Sequence, residues 1–225
     1  LPLDSTVRRC ITHLNENRDA DLVIALASLA LDITEAPLDG RIESAELQRR
    51  RNCIGGVWID NQFKQQVTSE LFELADEPAT AESSRLTLQS TDQPRPFNDL
   101  QYPAEAASLI LWTSGTTSEP LAVLLSAESL LMNAAAKLKA VPQEPTDIRL
   151  TVLPLSHAYA RTCDFGTWLL SGCTLAVCIG YQSMLRRLQY VKPNLINTVP
   201  SLACRMLRET PENLDNLRLL GCGGA

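Results

Sequence analysis

The sequence predicts an α/β fold in which a mainly parallel sheet is flanked by helices. From Pro103 onward, short apolar runs alternate with stretches of helical periodicity, the order that builds βαβ units. Pro200 and Ser201 stand where a helix would leave a strand end, and proline suits that first turn because its missing N–H has no partner there. Forty-five per cent of the 225 residues are apolar, enough to bury a sizeable core.

Asp4 or Ser5 can cap a first helix in which Val7, Cys10, Ile11 and Leu14 fall at helical spacing, and Asp19 can begin a second, largely buried helix through Leu31. A third helix carries Glu43 and Glu46, and the run Arg49-Arg50-Arg51 that follows reads as its solvated end. Val57-Trp58-Ile59 is a short strand candidate, followed by a helix around Thr68 to Ala75. From 77 to 103 Pro, Ser, Thr, Asp and Gln accumulate, which predicts a long connector with room for one strand at Arg85 to Gln89. The connector divides an N-terminal portion, 1–106, from an α/β portion, 107–225. In the second portion strands are expected at Ser108 to Trp112, Arg149 to Leu153, Thr174 to Cys178, Leu195 to Val199 and Leu217 to Leu220. Helices are expected at Ala127 to Ala140, Tyr159 to Leu170, Gln182 to Tyr190 and Pro200 to Glu209.

A net charge of −6 and a pI near 5.0, with no dense Lys/Arg patch, argue against a nucleic-acid surface. The longest apolar stretch, Leu22 to Leu31, is about ten residues, whereas a membrane span needs roughly twenty. Leu1-Pro2-Leu3-Asp4 has neither a basic region nor an initiating Met, so no signal peptide is expected. Seven scattered cysteines without a Cys-x-x-Cys pair fit reduced thiols and a cytoplasmic setting, with Cys173 and Cys178 as small core residues. With only His13 and His157 available, a zinc site would lack ordinary ligand spacing.

The stretch that carries chemistry is Trp112-Thr113-Ser114-Gly115-Thr116-Thr117-Ser118-Glu119-Pro120, fed by the apolar run Ala107 to Leu111. Thr113, Ser114, Thr116 and Thr117 each offer a hydroxyl and a backbone N–H, and Gly115 lets the backbone approach an anion without a Cβ in the way. Ala122 to Ser126 also looks like a returning strand, so on composition alone a phosphate cradle and an ordinary polar hairpin both stay open.

Thr-Ser-Gly-Thr-Thr-x-x-Pro after an apolar strand resembles the phosphate-loop signature of the adenylate-forming superfamily. That superfamily holds acyl-CoA and aryl-CoA synthetases, luciferases and the adenylation domains of peptide synthetases. Leu153-Pro154-Leu155-Ser156-His157-Ala158-Tyr159-Ala160 resembles its second core motif, and Leu169 to Val177, Lys192 to Ser201 and Leu217 to Ala225 follow in the family's order. Ala36-Pro37-Leu38-Asp39 fits more loosely, as does all of 1–106.

The resemblance implies that a small-molecule carboxylic acid attacks the α-phosphate of ATP, and that coenzyme A then takes the acyl group. It also implies that magnesium neutralises the phosphates, that Thr113 to Thr117 hold the β- and γ-phosphates, and that Gly223, Gly224 and Ala225 run beside the adenine and acyl group. His157 would line or gate the acyl pocket, where the plainer reading is a hydrogen-bonded histidine at a strand end. Tyr159, Phe165 and Trp168 lie at roughly helical spacing and read as helix packing.

The family's usual Gly-x-Pro-Lys-Gly-Val is Ser118-Glu119-Pro120-Leu121-Ala122-Val123 here, so one charged phosphate contact and two glycines are replaced. The family's Tyr-x-x-Thr-Glu segment, its ribose-binding aspartate and its C-terminal lid domain with a catalytic lysine are absent from the sequence. The chain is therefore expected to be part of the large N-terminal domain and inactive alone. A non-catalytic nucleotide- or acyl-binding relative is the alternative. An unrelated P-loop hydrolase is disfavoured, because no Gly-x-x-x-x-Gly-Lys-Ser/Thr is present.

Overall fold

The computed structural model of the protein describes residues 10–54, 56–66, 69, 107–114, 119–209 and 211–223. They form two sheets with helices between and around them. The first sheet contains β1 (Cys10–Asn15), β2 (Thr34–Asp39), β3 (Val57–Ile59), β4 (Ala107–Trp112) and β5 (Ala122–Ser126), in the order β3-β1-β2-β4-β5. All neighbours are parallel except β4 and β5, which pair antiparallel. The second sheet contains β6 (Ile148–Thr151), β7 (Thr174–Val177), β8 (Leu195–Thr198) and β9 (Leu219–Cys222), all parallel, in the order β7-β6-β8-β9. β4 and β5 therefore complete the sheet that β1 to β3 begin.

The helices are α1 (Asp19–Ala30), α2 (Ser44–Ile54), α3 (Ala127–Ala140), α4 (three consecutive segments, Ala158–Ala160, Arg161–Gly166 and Thr167–Ser171), α5 (Gly180–Leu188) and α6 (Pro200–Glu209). The middle segment of α4 is a π-helix, whose wider turn displaces the side chains that follow. Gly172, at φ 68°, closes α4 with a bond from its N–H to the Trp168 carbonyl, a left-handed end that suits glycine.

The helix expected over Val7 to Leu14 is a strand where it is described. Cys10 to Asn15 pairs with β2 through all six positions and with β3 on its other edge. Spacing of three and four also fits a strand covered on both faces, and here cross-strand partners decide which form wins. The expected helix around Thr68 to Ala75 and the strand at Arg85 to Gln89 lie outside the described residues, apart from Ser69; a helical run is found at 61–66. β9 starts two residues later than expected, because Leu217 closes a turn onto the Leu214 carbonyl first.

β6 and β8 form the centre of the larger core, where Leu150, Val152, Ile196, Phe165, Met184 and Leu188 are buried together with Ala25 of α1. A smaller core of Cys10, Ala36, Leu38, Ile54 and Ile110 packs α2 on the first sheet. Cys173 and Cys178 are buried, and all seven cysteines are free thiols. No helix among the described residues is long and apolar enough to cross a membrane.

Asn17, just past β1, joins the two sheets. Its amide nitrogen donates to the carbonyls of Leu153 (2.7 Å) and Cys178 (3.2 Å), and its oxygen accepts from the N–H of Leu155 (2.9 Å). Asparagine tolerates the left-handed φ of 54° that this position needs. The carboxyl ends of β1, β6 and β7 are thereby held side by side, the edge where open α/β sheets place ligands.

Candidate functional site

Thr113 and Ser114 leave the carboxyl end of β4 and are exposed. Thr113 and Leu121 close the neck of the loop: the Thr113 N–H donates to the Leu121 carbonyl (3.0 Å), and the Leu121 N–H donates to Thr113 Oγ1 (2.9 Å). Because Thr113 Oγ1 accepts there, its own proton remains to be donated elsewhere. The antiparallel return through β5 makes this a hairpin, and it places Thr113 and Ser114 at the carboxyl edge of the sheet. Gly115, Thr116, Thr117 and Ser118 lie outside the described residues.

The arginine run is not a solvated helix end. Arg50 is buried over the Trp112 ring (4.9 Å to the centroid) and bonded to Glu46, while Arg51 stacks on Trp58 (3.9 Å). Arg49 reaches the loop neck, donating to the Pro120 carbonyl (3.2 Å) and to both oxygens of Glu46. The two stacked cations cover aromatic faces, which repays part of their desolvation. A guanidinium thus stands beside the loop in which Leu121, 63% exposed, occupies the usual lysine position.

β2 lies beside β4 with Glu35 opposite Leu109, a register that brings Asp39 level with Thr113. Asp39 accepts from Arg41 through both carboxylate oxygens (2.9 Å from Nε to Oδ1, 2.6 Å from Nη2 to Oδ2) and from His157 Nε2 (3.0 Å). Burial raises the Asp39 pKa, but the hydrogen bonds from Arg41 and His157 outweigh it and hold the carboxyl well below the usual range. His157 is half-exposed at the N-terminus of α4, with Nε2 also 3.4 Å from Arg41. It is a hydrogen-bonded histidine at a helix start rather than at a strand end, and its bond to Asp39 ties it to the carboxyl end of β2. A cleft between Asn15, Asp39, Arg41, Val152, Pro154 and Gly180 opens beside it, about 170 Å³ in volume.

Gly223 ends β9's ladder, donating to the Thr198 carbonyl (3.1 Å). A Cβ at Gly223 would lie 3.1 Å from the Tyr159 ring, and one at Gly221 would lie 2.2 Å from Asn197 Oδ1. In this structure the glycines are demanded by protein side chains. Gly224 and Ala225 lie outside the described residues. Tyr159, expected only to pack its helix, lies against Gly223, with its hydroxyl 3.5 Å from Asn197 Oδ1; Phe165 and Trp168 do pack together, 5.6 Å apart. Asn17, Arg49, Asp39 and Asn197 escaped sequence reasoning. Asp39, in the loosely fitting Ala-Pro-Leu-Asp segment, and Asn197, within Lys192 to Ser201, fall in family-like segments that single neither of them out.

Residues 10–225 match the family described as AMP-binding enzyme. The chain belongs to that family. It is 31% identical over 145 residues to a long-chain-fatty-acid–AMP ligase of Mycobacterium marinum, a match covering 59% of this chain and 25% of that protein. It is 29% identical over 180 residues to an indoleacetate–CoA ligase of Aromatoleum aromaticum, covering 76% of this chain and 35% of the relative. The fold is shared with ATP-bound MatB of Rhodopseudomonas palustris (TM-score 0.70, 18% identity, 96% of this chain and 45% of the other). It is shared equally with O-succinylbenzoate coenzyme A synthetase of Bacillus subtilis in complex with ATP and magnesium ion (TM-score 0.70, 18% identity, 96% and 44%). The chain spans 35% or less of these curated relatives' length and under half of these solved structures.

Proposed function

We propose that this AMP-binding family member belongs to an enzyme that activates a carboxylic acid as its acyl-adenylate at the expense of ATP and then passes the acyl group to coenzyme A. The observation that supports the reading is the paired closure of Thr113 on Leu121, with Thr113 and Ser114 at the carboxyl end of β4, level with Asp39. Thr113 and Ser114 fit phosphate oxygens: both are exposed donors at a sheet edge, and fixed donors need no reorganisation when charge develops. In this reading Thr113 to Thr117 hold the β- and γ-phosphates, with magnesium neutralising them. His157 borders the acyl site, and Gly223 to Ala225 run past the adenine and acyl group.

The acid is proposed to be apolar. A cavity of about 210 Å³, walled by Leu29, Ile33, Leu109, Leu130, Phe165 and Leu169, lies along the same α4 that begins at His157. Arg161, Phe165 and Leu169 of α4 all line it, so the cavity offers a mainly apolar wall to a tail lying along that helix. The Mycobacterium marinum relative, named as a long-chain-fatty-acid–AMP ligase, agrees with this.

In the full-length protein, carboxylate-dependent ATP–pyrophosphate exchange is expected, rising with the acid's chain length and lost when Thr116 and Thr117 are both changed to Ala. Exchange that survives the double change refutes the loop's role. The second reading, a non-catalytic binder, is favoured by Leu121; it predicts ATP or acid binding by calorimetry with no exchange.

A further inference from the structure

Asp164 sits on the π segment of α4 and is wholly buried. Its Oδ1 accepts from Arg149 Nη1 and from Asn197 Nδ2, each at 2.6 Å. Asn197 Nδ2 donates a second time, to the Cys163 carbonyl (3.1 Å). Two acceptors on one side fix which way the amide faces, so the Asn197 oxygen points to β9. There it meets the Tyr159 hydroxyl and closes against Gly221, while the Tyr159 ring closes against Gly223. A connected path therefore runs from Arg149 and Asp164, through Asn197, to the wall formed by Tyr159 and Gly221 to Gly223.

The path is an expensive way to hold α4 on the sheet. Asp164 Oδ2 and Arg149 Nη2 are buried without hydrogen-bond partners, and a buried ion pair is commonly no more stabilising than apolar side chains of the same volume. What apolar packing cannot supply is a directional contact that orients one amide, and polar groups that break the packing rule tend to mark functional sites. Resting on the acid-activating reading above, we propose that Asp164 and Asn197 are positioning residues. They fix Tyr159 and the Gly221–Gly223 backbone where that reading takes the segment past the acyl group, and so set the affinity for the acid more than for ATP.

The test uses the full-length protein with Asn197→Ala, Tyr159→Phe and the double variant. Exchange kinetics are read separately for acid and ATP, and hydrogen exchange is followed in the 219–223 segment. Asn197→Ala should raise KM for the acid at least fivefold while KM for ATP and kcat stay within twofold. Tyr159→Phe should move the same constant less, and the double variant no further than Asn197→Ala. Amide exchange at 219–223 should quicken at least tenfold in Asn197→Ala, with β7 unchanged. Unchanged acid KM, an equal shift in ATP KM, or unaltered exchange at 219–223 overturns the proposal. If the parent protein activates no acid, the functional reading fails while the hydrogen-exchange arm still decides the positioning. If Asn197→Ala does not fold, Tyr159→Phe alone decides through the split between acid and ATP.

Discussion

Asn17 carries more of the architecture than its place in Glu16-Asn17-Arg18 suggests. In sequence it is one polar residue between two charged ones, and its two carbonyl partners lie 136 and 161 positions away. Asn17→Ala would strip three bonds from buried backbone groups and keep a left-handed φ that alanine disfavours. With about 1–3 kcal/mol for a buried group left unpaired, the expected loss is about 3 kcal/mol in urea denaturation, and a loss under about 1 kcal/mol would contradict the tie between sheets. The candidate-site residues divide by the same logic. Thr113 and His157 were legible because each sits in a local motif, whereas Asn197 and Asp39 become informative only through partners that other elements deliver.

Elements with strong periodicity were legible almost to their ends. α3 and α6 begin and end where the sequence places them, and so does β3. β1 was not, because a short run flanked by partners on both edges carries no periodicity that distinguishes it from a helix. Arg49 to Arg51 were misplaced for a related reason: charge in sequence predicts exposure, but the aromatic faces that receive Arg50 and Arg51 come from β4 and β3. The β4–β5 hairpin yields a prediction of its own. Leu121 is exposed at the loop neck, so Leu121→Lys adds a cation without displacing core, and acid-dependent ATP–pyrophosphate exchange in the full-length protein should rise several-fold. No rise, with the fold intact, would show that Leu121 does not limit the site.

Across the whole molecule, a buried charge network links the first sheet to α1 and α4. His13 lies between Glu35 (3.1 Å) and Asp21 (3.4 Å); Arg161 of α4 pairs with Glu35, and Lys64 pairs with Asp21. Burial lowers the His13 pKa, but its hydrogen bonds to Asp21 and Glu35 outweigh this and leave it above the ordinary 6.5. That stability is present below pH 6.5 and is lost as pH rises through the folded-state value. Asp21 goes the other way: burial raises it, yet His13 and Lys64 bring it down from 3.8 to about 2. Its contribution, about 2 kcal/mol, is present above the ordinary carboxylate value and disappears as pH falls toward 2. Urea unfolding against pH should therefore give a stability maximum between the two limbs. A curve flat from about pH 5 to about pH 2 would show that the network does not contribute.

The sequence by itself determined the fold class, the family and the order of strands and helices after Pro103, because periodicity and motif spacing are properties of neighbouring residues. Only the tertiary structure decided that Cys10 to Asn15 is a strand, that β4 and β5 complete the sheet begun by β1, and that Asn17 fastens one sheet to the other. It also decided that Asn197 is turned toward Tyr159 and Gly221. Each of these depends on partners far along the chain, and a hydrogen bond or a packed face is settled by which group arrives opposite it.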